Sequence, residues 1–399
     1  MLYADRTNVV TNSPTLAISA KAKALKAEGV DVISFSAGQP DFPTPDHIKA
    51  AGIAAIEENA TGYTASSGTP ALRKAIAEWM TGQIGVEYSQ KNIMVSTGAK
   101  FSLTAAILAT IDRGAEVIFT APYWVSYPDM VRLADGTPVI AKTTAKDGYK
   151  ITPEQLEAHI SPKTRMLLLN SPSNPTGAVY NRNEIEALAE VLRRYPDIWI
   201  LSDEIYSKLI YGGAEHFSIA AVSKEIADRT IVVNGVSKTY AMTGWRIGWM
   251  AGPEELVSLA GKIQSHTTSC PSSISQEATL KALTAPDDFL DDMRQAYRRR
   301  RDLFVELLRD VPGIVPYVPE GAFYLFCEIG DIIGKTREDG GKISSCMDFA
   351  DYLLDEARVA AVPGGAFGLG GHIRFSFATS DDDIKRGVAR IAEAVGKLS

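Results

Sequence analysis

A chain of 399 residues, 45% hydrophobic and 22% charged, is long enough for two packed domains and has the make-up of an ordinary globular protein. Its net charge of −7 argues against a nucleic-acid surface, because phosphate backbones attract a basic face. Three cysteines without a CxxC pair, five histidines in no ligand pattern and no run of eighteen apolar residues point to reduced thiols, no metal and no membrane span, and so to a cytoplasmic protein.

Taken in order, residues 1–15 are polar, with a turn-like Thr11-Asn12-Ser13-Pro14, and are expected to lie as an arm over another surface. A helix pattern follows from Leu16 to Ala27 and stops at Gly29; Ile33-Ser34-Phe35-Ser36 reads as a strand, and Ala37 to Pro45 as a rigid loop. Gly68-Thr69-Pro70 opens a helix at Ala71, shortly after Tyr63. Ile93-Met94-Val95-Ser96-Thr97-Gly98-Ala99-Lys100 then runs from a strand through a glycine turn into an apolar helix, Phe101 to Ile111. In that arrangement free backbone N–H groups and the helix dipole can hold a phosphate. The GxxxxGK[ST] spacing of a nucleotide loop is absent.

From Ala115 onward, strand-like runs (Val117–Phe119, Met166–Leu169, Ile198–Leu201, Ile231–Val233) are separated by longer segments, with a helix pattern near Glu184 to Arg194. The alternation implies βα units and a largely parallel sheet covered on both faces. Ligands bind such sheets beyond the carboxyl ends of the strands. Four successive ends carry Trp124, then Asn174, then Asp203 with Tyr206, then Lys238: an aromatic face, an amide, a carboxylate with a phenol, and an amine. Beyond Pro286 a charged helix (Asp291–Arg309), short strands (Ala322–Phe326, Ile373–Phe377) and a closing helix (Asp381–Lys397) read as a smaller α+β domain. The expected division is an arm at 1–15, a small domain from 16–45 with 290–399, and a large domain at 46–289. The run Arg298-Arg299-Arg300-Arg301 reads as a solvated helix face, and Gly364 to Gly371 as a flexible loop, since it precedes a strand where a dinucleotide loop would open a helix.

Most lysines are solvated surface residues, so Lys238 draws its meaning from its neighbours. Ser237 supplies a hydroxyl beside it, and Arg246 follows eight residues later behind Gly244. An amine, a hydroxyl and a fixed guanidinium suit a ligand that has both an aldehyde and a phosphate, as pyridoxal 5'-phosphate does.

Together, Ser171-Pro172-Ser173-Asn174-Pro175-Thr176-Gly177, Ser202-Asp203-Glu204-Ile205-Tyr206, Val236-Ser237-Lys238 with Ala241 to Gly248, and Ala121 to Tyr127 resemble the fold-type-I pyridoxal-phosphate aminotransferases. The resemblance is to the class I bacterial aspartate aminotransferase subgroup that also holds prephenate aminotransferases. It implies an α/β fold with a mostly parallel sheet in a large domain and a smaller α+β domain. It implies that Lys238 forms the internal aldimine and moves the substrate proton, that Asp203 pairs with the pyridine nitrogen, that Tyr206 and Asn174 hydrogen-bond the phenolic oxygen, and that Trp124 stacks on the ring. Gly98, Ala99, Lys100, Ser237 and Arg246 surround the phosphate, and Tyr63 arrives from a second subunit of a homodimer with shared active sites. Arg374 grips the substrate α-carboxylate, helped by Asn174 and the Gly38 backbone, while Lys100 and Thr15 face the distal end beside Trp124.

The implied reaction is ping-pong transfer of the amino group of L-aspartate to 2-oxoglutarate. Aromatic or neutral amino acids, prephenate, a β-eliminating lyase or a non-enzymatic regulatory module are the alternatives. Thr11-Asn12-Ser13 stands where many relatives carry Lys-Pro-Ser, which removes a cation and weighs against prephenate.

Overall fold

The computed structural model describes residues 3–11 and 14–399. Its strands, in chain order, are β1 (Ile33–Ser34), β2 (Ile93–Ser96), β3 (Glu116–Ala121), β4 (Thr137–Lys142), β5 (Thr164–Asn170), β6 (Trp199–Asp203), β7 (Thr230–Gly235), β8 (Gly248–Ala251), β9 (Val315–Pro316), β10 (Tyr324–Glu328), β11 (Val359–Ala360), β12 (Val362–Pro363) and β13 (His372–Ser376). Seven of them form one sheet in the order β2-β8-β7-β6-β5-β3-β4, in which only β8 runs against its neighbours.

The β-branched and leucine-rich runs make that sheet because both of its faces are buried. Successive side chains of a strand point to opposite sides, and the core divides accordingly. Ile231 and Val233 of β7 join Met166 and Leu168 of β5 in one apolar cluster. Val232 packs into a second, and Leu167, Leu169 and Ile200 into a third. Helices close these layers with local signals legible in the chain. Thr69 caps Pro70–Ile84 by accepting from the Leu72 N–H at 3.3 Å, and Asn181 with Glu184 forms a capping box on Arg182–Arg193.

The second sheet has the order β12-β13-β10-β9 and is antiparallel; β1 pairs separately with β11 in parallel. Its core brings the two ends of the chain together. Phe35 is fully buried with its ring centroid 4.8 Å from Phe304 and 6.0 Å from Phe375. Expected and observed elements differ mostly by a few residues at their ends, where hydrogen bonding and not apolar pattern decides. The strand at Ile33–Ser36 stops at Ser34, and the helix expected from Phe101 starts at Ala99.

Two expectations change. The basic run is solvated only in part: Arg299 holds Asp381 through two bonds at 2.9 and 3.1 Å, Arg300 reaches Asp41 at 2.9 Å, and Arg301 is buried, donating to the Pro319 carbonyl at 2.9 Å. Its charges therefore fasten the long helix Phe289–Arg309 to distant segments. The glycine-rich segment is no open loop either. Gly364–Phe367 forms a 3₁₀ turn whose Phe367 is fully buried, and the Phe367 carbonyl accepts from the Tyr123 N–H at 3.0 Å. Among the described residues no helix is long and apolar enough to cross a membrane.

Truncating Phe35 would leave a cavity among Phe304, Phe375 and Ile33. Phe35→Ala is expected to destabilise the protein by about 3–5 kcal/mol, read as a lower urea midpoint. An unchanged midpoint would show that the segment before residue 45 adds nothing to this core.

Candidate active site

The carboxyl ends of β2, β3, β5, β6 and β7 converge on a cavity of about 770 Å³. Its wall includes Ala99, Lys100, Trp124, Asn174, Asp203, Tyr206, Ser237, Lys238, Arg246 and Arg374, together with Thr15 and Gly38. Of the residues singled out from sequence, two lie outside that wall. Gly98 caps the helix Ala99–Thr110 just behind it, and Tyr63 is 97% exposed elsewhere on this chain. Asn12 and Ser13 lie outside the described residues. Thr11 is tied to Asp129 on the helix Tyr127–Leu133 through its N–H at 3.1 Å and its hydroxyl at 2.9 Å.

Local backbone explains the close convergence. Gly98 has φ 81° and faces the Arg246 guanidinium so tightly that a Cβ would overlap it. A Cβ on Gly248 would likewise strike the Ala99 amide. Arg246, itself at φ 59°, donates to the Thr243 carbonyl at 2.9 Å. The first turn of one helix and a fixed guanidinium thus meet at one end of the cavity.

Asp203 sits at the end of β6, 4% exposed. The Tyr127 hydroxyl donates to its Oδ2 at 2.6 Å and the Ile205 N–H to its Oδ1 at 3.3 Å. Burial raises its carboxyl to about 6, against the pull of those two donors. Lys238 follows β7 by three residues and lies half-buried in the cavity, where its ammonium donates to the Gly38 carbonyl. Burial, then Arg374 and Arg246, push the amine down to about 8, so it loses its proton far more readily than an ordinary lysine.

Arg374 on β13 is 3% exposed. Its Nη1 donates to Asn174 Oδ1 at 3.0 Å and its Nη2 to the Ser36 carbonyl at 3.1 Å, while Nε is buried without a partner. The guanidinium carbon stands 4.3 Å from the Tyr324 ring centroid and 4.9 Å from that of Phe367. Lys100 lies with its ammonium 4.8 Å from the Trp124 ring centroid, and burial and the nearby Arg246 lower its pKa. Among the described residues none of Lys100, Lys238, Arg246 or Arg374 has a carboxylate within 4.0 Å. A cavity lined by several cations and, among the described residues, one acid calls for an anionic ligand.

Several lining residues were not singled out from sequence. Tyr127, Asn170 and Tyr324 reach the site only through tertiary contact, and Phe367 through the turn described above. Lys23 and Lys26, three residues apart on the helix Pro14–Ala27, add two more cations at its edge; only their helical spacing was readable.

The family description "Aminotransferase class I and II" matches residues 30–391. The aspartate/prephenate aminotransferase of Cereibacter sphaeroides is 49% identical over 390 residues, covering 98% of each chain. The crystal structure of the aspartate aminotransferase from Rhizobium meliloti superposes with a TM-score of 0.96 at 46% identity over the full length of both chains. That of the Thermus thermophilus aspartate aminotransferase with maleate gives 0.93 at 40% identity, covering 99% of this chain and 100% of that one. Likeness of that extent, in sequence and in fold, places this chain among the class I and II aminotransferases, enzymes that work with pyridoxal 5'-phosphate.

Proposed function

We propose that the chain moves the amino group of L-aspartate to 2-oxoglutarate in two half-reactions at the Lys238 cavity. The observation that carries this reading is Arg374: a buried guanidinium held in place by Asn174 and Ser36, with no carboxylate of its own, in one cavity with Lys238. An α-carboxylate satisfies it as a planar, two-point partner. Lys100 offers a second cation for the distal carboxylate of an acidic substrate, with Thr15 and Trp124 beside it. The Thermus relative was solved with maleate, itself a dicarboxylate.

The donor set fits pyridoxal phosphate group by group. Arg246, Ser237 and the amides of Ala99 and Lys100, behind the Gly98 turn, would hold the phosphate at a helix N-terminus. Asp203 would face the ring nitrogen, Trp124 a ring face, and Tyr206 with Asn174 the ring oxygen. When bound, the cofactor supplies an electrophilic aldehyde and a ring that accepts electrons. Asp203, next to a cationic nitrogen, would stay ionised and raise that nitrogen's pKa by about 1–3 units, or about 1.4–4 kcal/mol. Lys238 Nζ would take and return the proton of the substrate α-carbon, and Arg374 would hold that carbon within its reach.

Prephenate is the second reading, favoured by the Cereibacter relative, an aspartate/prephenate aminotransferase, and by a cavity that continues to Lys23 and Lys26. We also infer a homodimer with Tyr63 crossing to the partner's site, supported by its 97% exposure in one chain. The division into an arm (1–15), a small domain (16–45 and 290–399) and a large domain (46–289) is supported by the seven-stranded sheet lying wholly within residues 93–251. The cytoplasm is the inferred location, in keeping with three unpaired cysteines.

L-Aspartate is expected to bleach the visible band of the holoenzyme and 2-oxoglutarate to restore it. Arg374→Lys should lower kcat/KM for aspartate by about 10–100-fold, the loss of a charge-assisted two-point contact. A band that answers to phenylalanine and not to aspartate would sink the acidic-substrate assignment. In the cofactor-free protein, the rate at which an amine reagent labels Lys238 should climb as pH passes about 8, because the unprotonated amine is the nucleophile. A climb only near the ordinary lysine value of about 10.4 would contradict the cavity electrostatics. Light scattering should return the mass of two chains; one chain's mass would remove Tyr63 from the site.

A further inference from the structure

Tyr206 and Tyr324 meet hydroxyl to hydroxyl at 2.9 Å, both fully enclosed by protein on the cavity wall. They come from different sheets. Tyr206 follows β6 of the large sheet by three residues, in the turn at residues 205–208; Tyr324 opens β10 of the small one, which is paired with the β13 strand that carries Arg374. Their bond is thus a direct polar link between the two sheets at the cavity. Beneath it, the Tyr324 ring lies 4.3 Å from the Arg374 guanidinium, and its hydroxyl borders Gly38.

A phenol has one hydrogen, so the pair can be ordered in two ways. If Tyr206 donates to Tyr324, its hydrogen is spent within the protein. If Tyr324 donates to Tyr206, the Tyr206 hydrogen is free for an oxygen in the cavity, and accepting a bond makes it a stronger donor. The surroundings favour the second order. Burial raises both phenols, Tyr206 well above its ordinary value, and the Arg374 charge pulls both back; but the guanidinium lies against the Tyr324 ring, 4.3 Å from its centroid, and a cation there makes Tyr324 the better donor.

We propose that Tyr324 is a positioning residue for the transamination: it donates to Tyr206 and so aims and strengthens the Tyr206 hydrogen bond to the ring oxygen of the bound cofactor. The inference rests on the pyridoxal-phosphate reading above. Tyr324→Phe removes only the hydroxyl and keeps the ring against Arg374. With the ionised ring oxygen less stabilised, the pH midpoint of the bound cofactor's absorbance should rise, by about 0.3–1 unit for a bond of ordinary net strength. The kcat for aspartate should fall by about 3–10-fold, while the dissociation constant of a dicarboxylate such as maleate, which reads Arg374, stays within about twofold.

A second comparison separates action through Tyr206 from loosened packing. In a Tyr206→Phe background, the additional Tyr324→Phe change should leave the absorbance midpoint where it is, since the link is already broken. A midpoint unmoved in the single Tyr324→Phe variant, or moved equally in both backgrounds, would overturn the proposal. Wild-type protein without a cofactor band would instead overturn the parent reading, so the two failures are distinguishable.

Discussion

Lys100, Lys238, Arg246 and Arg374 share a cavity in which, among the described residues, Asp203 is the single lining acid. Like charges so placed repel: Arg374 and Arg246 both push Lys238 down, and Arg246 pushes Lys100 down. Asp203 offsets part of this at Lys238, and dipoles steady the rest: the Gly38, Thr243 and Ser36 carbonyls and the Asn174 amide oxygen are spent on the cations. Dipoles steady a charge without cancelling it, which leaves the cavity poised for ligands that bring negative charge. Phosphate and carboxylate are therefore demanded by the electrostatics before any chemistry is considered.

Holding four cations together requires a scaffold stiffer than their repulsion. The parallel strands β5, β6 and β7, buried on both faces, end side by side, and each hands its chain directly into a site residue. The glycines at 98 and 248 let the helix Ala99–Thr110 and β8 approach without a Cβ between them. Arg374 reaches the same cavity from the other sheet, where β13 is pinned along its length by β10. Its bond to Asn174 and the bond between Tyr206 and Tyr324 both run from one sheet's side to the other. The geometry of the cavity thus depends on how the two sheets meet.

What the chain disclosed in advance follows from this construction. Doubly buried strands give apolar runs, strand ends give polar clusters at fixed offsets, and a helix start shows as Gly68-Thr69-Pro70; all are local patterns that a reader can find. Tyr127 was part of a recognised stretch, yet its role is a bond to a residue 76 positions away, and nothing local announces that. Tyr324 lies 118 positions from its partner. The arginine run misled for the same reason: its partners Asp41, Pro319 and Asp381 are remote, so adjacency in sequence looked like a solvated face. Phe367 was hidden within a glycine-rich stretch whose backbone folds it inward.

Asp203 and Glu204 show how far the pleat alone decides function. Adjacent and chemically alike, they leave the end of β6 toward opposite sides. Glu204, 2% exposed, is filled by the protein: Ser202 and Ser218 donate to Oε1 at 2.8 and 2.6 Å, and His216 Nε2 lies 2.8 Å from Oε2. A carboxylate so saturated has little capacity left for a ligand. Asp203 receives only the Tyr127 hydroxyl and one backbone N–H, and it lines the cavity. Its burial and the charge of Glu204 behind it hold its carboxyl up, which makes an arriving cation more welcome, since pairing relieves both. The same two residues on a strand shifted by one would present the saturated acid to the cavity and bury the available one, so strand register is as much a part of this site as any side chain in it.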